Sequence, residues 1–203
     1  MDVTFKHPCS ILVAGPSHSG KTIFTFRLIS EAAKMFSPPP QQVYYCYSLY
    51  QPLFDNFSDI IFNEGLPDMN MFDGSKRVLL IIDDLMNEIN QSVTNIFTKG
   101  SHHRNVSVIF LTQNLFHKKQ RTISLNTQYL IIFKCPRDMS QISVLAKQMY
   151  PTNSKFLIEA FLDATSKAYG YLLLDLRADT DDKIRVRTNI FPDDEVQYVY
   201  VRK

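Results

Sequence analysis

The segment Gly15-Pro16-Ser17-His18-Ser19-Gly20-Lys21-Thr22 constrains the fold of this chain more than any other stretch. It fills every fixed position of the pattern GxxxxGK[ST], follows the apolar run Ser10–Ala14 and opens the helix-like segment Lys21–Phe36. A strand, a glycine turn and a helix in that order form a loop whose backbone N–H groups face a phosphate, and the helix start adds positive dipole. Lys21 supplies a mobile charge for the β- and γ-phosphates, and Thr22 offers a hydroxyl to Mg²⁺.

The rest of the chain extends this unit. Short runs rich in Val, Ile, Leu, Phe and Tyr recur at Ser10–Ala14, Gln42–Ser48, Val78–Asp83, Ser107–Thr112 and Tyr129–Lys134. Helix-like segments separate several of them, the pattern of a mainly parallel sheet covered on both faces. The sequence therefore predicts an α/β fold. Lys21–Phe36 reads as a helix stopped by Ser37-Pro38-Pro39-Pro40, because proline cannot donate the helical hydrogen bond. Residues 49–76, interrupted by Pro52, Gly65, Pro67 and Gly74, read as short helices and loops. Asn87–Phe97, Ser140–Met149 and Ser154–Ala164 read as helices, the last two on either side of Pro151. Gly170–Leu176 and Ile184–Asn189 read as late strands forming an antiparallel edge, joined by the acidic loop Asp179–Lys183.

With 203 residues, 45% hydrophobic and 21% charged, the chain has the composition of one globular domain. Disorder and a disulfide scaffold are poor readings. No run approaches the roughly 20 apolar residues that cross a bilayer, and the start lacks the basic-then-apolar order of a secretory signal. These features predict a soluble intracellular protein with no membrane partner. Cys9, Cys46 and Cys135 lie in apolar runs without zinc spacing, which fits free thiols in a reducing compartment.

The net charge of +2 is spread unevenly. Residues 1–100 hold seven Lys/Arg against ten Asp/Glu, whereas residues 101–203 hold fifteen against ten. Between Glu88 and Asp138 there is no acid, while Lys99, Arg104, Lys118, Lys119, Arg121, Lys134 and Arg137 fall there with His102, His103 and His117. Such a stretch meets either an anionic partner or water.

Two further motifs complete a candidate site. Val78-Leu79-Leu80-Ile81-Ile82-Asp83-Asp84 delivers two carboxylates to the end of a buried strand, where they are costly unless compensated. Asp83 would hold Mg²⁺ through water, and Asp84 would orient or deprotonate the attacking water. Asp84 also fits a strand-end turn or helix cap, and Glu88 is the fallback base. Val106-Ser107-Val108-Ile109-Phe110-Leu111-Thr112-Gln113 reads as a strand ending in a polar pair; if this strand neighbours those carrying Gly15 and Asp83, Gln113 reaches the γ-phosphate region, whereas by itself such a pair reads as a turn. No NKxD sequence is present, which favours ATP over GTP.

Taken together, GPSHSGKT at 15–22, LLIIDDLM at 79–86, HHRNVSVIFLTQNLF at 102–116 and IIFKCPRDMSQISVLAKQMYP at 131–151 resemble the FtsK/HerA branch of P-loop ATPases. Within that branch they are most similar to the DNA-packaging ATPases of large eukaryotic DNA viruses, such as poxviruses, and of Maverick/Polinton-type elements. The resemblance runs from Cys9 to about Pro151 and is looser beyond. It implies a RecA/FtsK-like P-loop NTPase fold and a homo-oligomeric ring that hydrolyses ATP with Mg²⁺ to drive double-stranded DNA into a capsid. Capsid or portal components would be partners, in the nucleus, a cytoplasmic viral factory or the virion. By the same resemblance Arg104 matches the region of an arginine inserted into the neighbouring subunit's site, with Arg137 the second candidate. Many members carry Asp-Glu where this chain has Asp83-Asp84. Lys118, Lys119 and Arg121 would then contact DNA phosphates without reading sequence.

A nucleotide or nucleoside kinase and a non-hydrolysing ATP-binding assembly protein share the phosphate loop. Duplex DNA, a small acceptor and neither, respectively, should stimulate phosphate release in the motor, the kinase and the assembly protein.

Overall fold

The computed structural model describes residues 3–85, 104–115 and 121–202. The element order is β1 (Phe5–Lys6), β2 (Ser10–Ala14), α1 (Lys21–Ser30), α2 (Ala32–Met35), β3 (Phe36–Ser37), β4 (Gln42–Tyr47), β5 (Ile60–Glu64), β6 (Val78–Asp83) and β7 (Val106–Thr112). Then come α3 (Arg121–Leu125), β8 (Tyr129–Phe133), α4 (Ser140–Met149), α5 (Ser154–Ala164), β9 (Tyr171–Asp175), β10 (Val186–Thr188) and β11 (Tyr198–Tyr200). Short 3₁₀ turns occupy Pro52–Asn56, Met69–Met71 and Asp182–Ile184.

Among the described residues nine strands form one sheet in the order β11-β10-β9-β8-β2-β7-β6-β4-β5. The six strands from β8 to β5 are parallel. The last three, β9, β10 and β11, run antiparallel to their neighbours. The expected α/β class and antiparallel C-terminal edge are both present.

Alternation along each strand divides the core between two faces. Leu12, Leu80, Phe110, Leu130 and Leu172 point to one, where Ile142, Leu145 and Ala146 of α4 and Leu157, Ala160 and Phe161 of α5 cover them. Ile11, Val13, Tyr45, Ile81, Leu111 and Ile131 point to the other, against Phe24, Phe26 and Leu28 of α1. Both faces of the central strands are dry, which is why those strands read as unbroken apolar runs.

Two expectations need correction. The helix read over Lys21–Phe36 ends at Ser30, turns at Glu31 and resumes only as the single turn α2. Phe36 is already extended, at φ −113° and ψ 141°, and with Ser37 it pairs with Phe5–Lys6. Pro38 biases its predecessor toward extended backbone, so helix propensity yields before the proline is reached. Residues 49–76 contain the edge strand β5 beside their short turns, paired with β4 from Val43↔Ile60 to Tyr47↔Glu64. The strands β1, β3 and β11 and the short helix α3 were not legible either. The helix expected over Asn87–Phe97 lies outside the described residues.

Candidate nucleotide site

The functional geometry begins where the parallel strands end. Strand β2 hands the chain to the loop at Gly15, whose N–H donates to the Thr112 carbonyl at 3.1 Å, so the loop is tied to the end of β7. Ser19 N–H donates to the Pro16 carbonyl at 3.3 Å, and His18 and Gly20 take left-handed backbone at φ 61° and 102°. The loop thereby curls and delivers Lys21 as the first residue of α1. A Cβ on Gly15 would stand 2.7 Å from Phe133 Cβ and 2.8 Å from Ser19 Oγ, so only glycine fits there.

Lys21 lies across the curl, its Nζ donating to the carbonyls of Gly15 at 2.7 Å and Pro16 at 2.9 Å. Burial lowers its pKa, while the charges of Asp83 and Asp84 work in the opposite direction. The two carboxylates therefore face the loop from the same edge of the sheet. Strand β7 lies between β2 and β6, which places Gln113, one residue beyond Thr112, between the loop and the carboxylates. Ser17, His18, Gly20, Lys21, Thr22, Asp83, Asp84 and Gln113 all line one cleft of about 970 Å³. Pro16 and Ser19 complete the loop behind it.

Asp83 and Asp84 differ in setting. Asp83 is partly buried and accepts a 2.6 Å hydrogen bond from Tyr45 Oη at its Oδ2. Burial raises its pKa, the Tyr45 hydrogen bond lowers it, neighbouring Asp84 raises it and Lys21 lowers it. Asp84 is exposed and left-handed at φ 53°, a conformation that Asp tolerates better than most side chains.

The remaining candidates are dispersed. Arg104 lies just before β7, at the opposite edge of the sheet from Gln113, with the roughly 20 Å rise of β7 between them. Its guanidinium donates to the Met69 carbonyl and to Asn70 Oδ1. Arg137 is exposed in the turn after β8, on the edge that carries the phosphate loop. Arg121 opens α3, whereas Glu88, Lys99, His102, His103, Phe116, His117, Lys118 and Lys119 lie outside the described residues. Cys9 and Cys46 are buried and in no disulfide, and burial pushes Cys9 up to about 12.

Several cleft residues carried no motif. Tyr47, Leu49 and Gln51 line the end near Asp83, while Tyr169, Tyr171 and Phe191 line the other. Tyr169 is left-handed at φ 60° and 71% exposed, with its ring 3.2 Å from where a Gly20 Cβ would stand. Arg27 of α1 donates to Asp193 at 2.6 Å and Asp194 at 2.8 Å, and its guanidinium lies 4.0 Å from the centre of the Phe191 ring. The late segment around Phe191 is thus pinned to the helix that starts at Lys21. Only the strand pairing brings these positions together, so no local pattern marks them.

Solved structures share this fold. The genome-packaging NTPase B204 from Sulfolobus turreted icosahedral virus 2, in complex with ATP-gammaS, superposes with a TM-score of 0.58 at 14% identity, over 89% of this chain and 96% of that one. B204, the DNA-packaging ATPase from Sulfolobus turreted icosahedral virus, gives 0.60 at 13%, over 91% and 98%. The chain has the P-loop NTPase fold. The pCW3 conjugation coupling protein TcpA, with ATPgS, gives 0.52 at 14% over 86% of this chain and 59% of that one. These neighbours agree with the FtsK/HerA-type resemblance, and at such identities the likeness is one of fold. No protein-family model and no curated protein sequence matches the chain.

The residues present fit a nucleotide triphosphate and its cation. Ser19 Oγ is buried in the loop without a hydrogen-bond partner. Thr22 and Asp83 offer hard oxygens suited to Mg²⁺. Among the described residues no cluster of three or more His, Cys, Asp or Glu forms a metal site by itself, so a cation here would depend on phosphate oxygens.

Proposed function

We propose that this chain is a Mg²⁺-dependent ATPase that moves double-stranded DNA into a viral capsid as a homo-oligomeric ring. The carrying observation is convergence: Ser17, His18, Gly20, Lys21 and Thr22 of the loop, the Asp83-Asp84 pair and Gln113 meet in one cleft at one edge of the sheet. The fold shared with the B204 packaging ATPases supports the biological assignment.

In this reading the loop amides and Lys21 bind the phosphates, and Thr22 and Asp83 hold the cation. Bound Mg²⁺ would supply charge neutralisation at the β- and γ-phosphates. Asp84, exposed at the mouth, orients the attacking water and accepts its proton, while Gln113 holds that water from the β7 side. The aromatic end of the cleft, at Tyr169, Tyr171 and Phe191, accommodates the nucleoside. Arg104 and Arg137 are the candidates for entering a neighbouring subunit's site, and Lys118, Lys119 and Arg121 for contacting DNA phosphates. The whole of residues 1–203 acts as one ATPase domain, with capsid or portal components as partners. Its place is inside the infected cell, in the nucleus or a cytoplasmic viral factory, or with the virion. Among the described residues no helix is long and apolar enough to cross a membrane.

Phosphate release with and without duplex DNA, alongside native mass, tests the proposal. Release should rise with DNA and the mass should be that of a ring. Lys21→Ala should abolish hydrolysis, and Asp84→Asn should retain nucleotide while turning over at least tenfold more slowly. Normal rates in both variants would retire the site, and stimulation by a small acceptor instead of DNA would make the protein a kinase.

A further inference from the structure

The carboxylate assigned to the cation is held by a group outside every motif. Tyr45 is fully buried on β4, and its hydroxyl donates to Asp83 Oδ2 at 2.6 Å. Parallel pairing sets Tyr45 beside Ile81 and Tyr47 beside Asp83, and alternation sends Tyr45 and Asp83 to the face covered by α1. The Tyr45 ring stacks on Phe26 of α1, with centroids 5.1 Å apart and planes 6° from parallel. Phe54 at 5.2 Å and Phe62 at 5.7 Å close its other sides. A ring so enclosed cannot swing away, so its hydroxyl is a fixed donor.

We propose that Tyr45 is a positioning residue for Asp83. It occupies one carboxylate oxygen and fixes the plane of the group, leaving the other oxygen for the cation side of the cleft. The inference rests on the reading of Asp83 as the cation-holding residue. Its physical basis is the general dependence of metal ligands on hydrogen-bonded partners that set their orientation, whose loss typically costs about 10–100-fold in metal affinity. Because the ring belongs to the same aromatic stack as Phe26, it also joins Asp83 mechanically to the helix that begins at Lys21. The phosphate and cation halves of the site are thereby held in fixed relation.

Tyr45→Phe keeps the ring and removes only the donor. Mn²⁺ binding in the presence of ADP, followed by electron paramagnetic resonance, should weaken by roughly tenfold. Binding of a fluorescent ADP analogue in EDTA should not change, because the loop and Lys21 are untouched. In an Asp83→Asn background the same substitution should have little further effect on Mn²⁺ binding. Wild-type Mn²⁺ affinity in Tyr45→Phe would overturn the positioning role while leaving the nucleotide site standing, as would full additivity of the two substitutions. Absence of ADP-dependent Mn²⁺ binding in the wild type would overturn both.

Discussion

Asp83 is kept partly buried beside a second carboxylate, with one phenol and one lysine to offset it. Burial raises its folded pKa above the unfolded value of about 3.9, so the nucleotide-free fold binds that proton more tightly than the unfolded chain does. The stability contributed by protonation is present below the unfolded value and is lost as pH rises through the folded one. At pH 7 the empty protein therefore carries a cost that Asp83→Asn removes, since an amide is cheaper to bury than a carboxylate and can still accept from Tyr45. Its melting temperature in EDTA should rise above that of the wild type. The extra stability that Mg²⁺ adds to the wild type beyond ADP alone should disappear in the same variant. An unchanged melting temperature in EDTA would show that Asp83 is well compensated when the site is empty. Asp83 itself was legible in the sequence, because a carboxylate at the end of five apolar residues is conspicuous. Tyr45 was not, because its significance depends on a pairing between strands more than thirty residues apart.

At the scale of elements, the helices on the face away from the phosphate loop act as ballast for the sheet. In α5, Phe161 is 1% exposed and adjacent Leu162 is 54% exposed, so neighbouring apolar residues face opposite environments. Phe161→Ala should cost about 3–5 kcal/mol in urea unfolding, whereas Leu162→Ala should stay within about 0.5 kcal/mol. Equal effects would mean that α5 is rotated from the packing described. The central strands and the helices α4 and α5 could be read from local pattern because each is apolar through its length or amphipathic at helical spacing. Strand β5 could not, since Ile60-Ile61-Phe62-Asn63-Glu64 is half polar and sits on an edge, where only its pairing with β4 defines it. Likewise β11, exposed at Tyr198 and Val199, owes its extended form to β10 rather than to burial. In α1 the local helical signal ran past Ser30, because the pairing of Phe36–Ser37 with Phe5–Lys6 is a long-range contact.

For the whole molecule, the ring proposal turns on groups that lie away from the cleft. Arg104 stands at the far end of β7 from Gln113, so it could meet a nucleotide only in an adjoining subunit. Arg104→Ala should lose DNA-stimulated turnover, and mixing it with a Lys21→Ala subunit that retains Arg104 should restore part of the rate. Failure to complement would leave Arg104 as a bracket for the Met69–Asn70 turn, the contact it makes within its own chain. Strand β7 also sets a limit on how such a machine could move. It is held by parallel hydrogen bonding to β2 on one side and β6 on the other along nearly all its length, and the loop at Gly15 is fastened to its last residue. A rod gripped on both flanks serves as an anvil rather than a spring. In the proposed motor, a stroke that began when a phosphate departs would leave the sheet still and act through the loops at its edge.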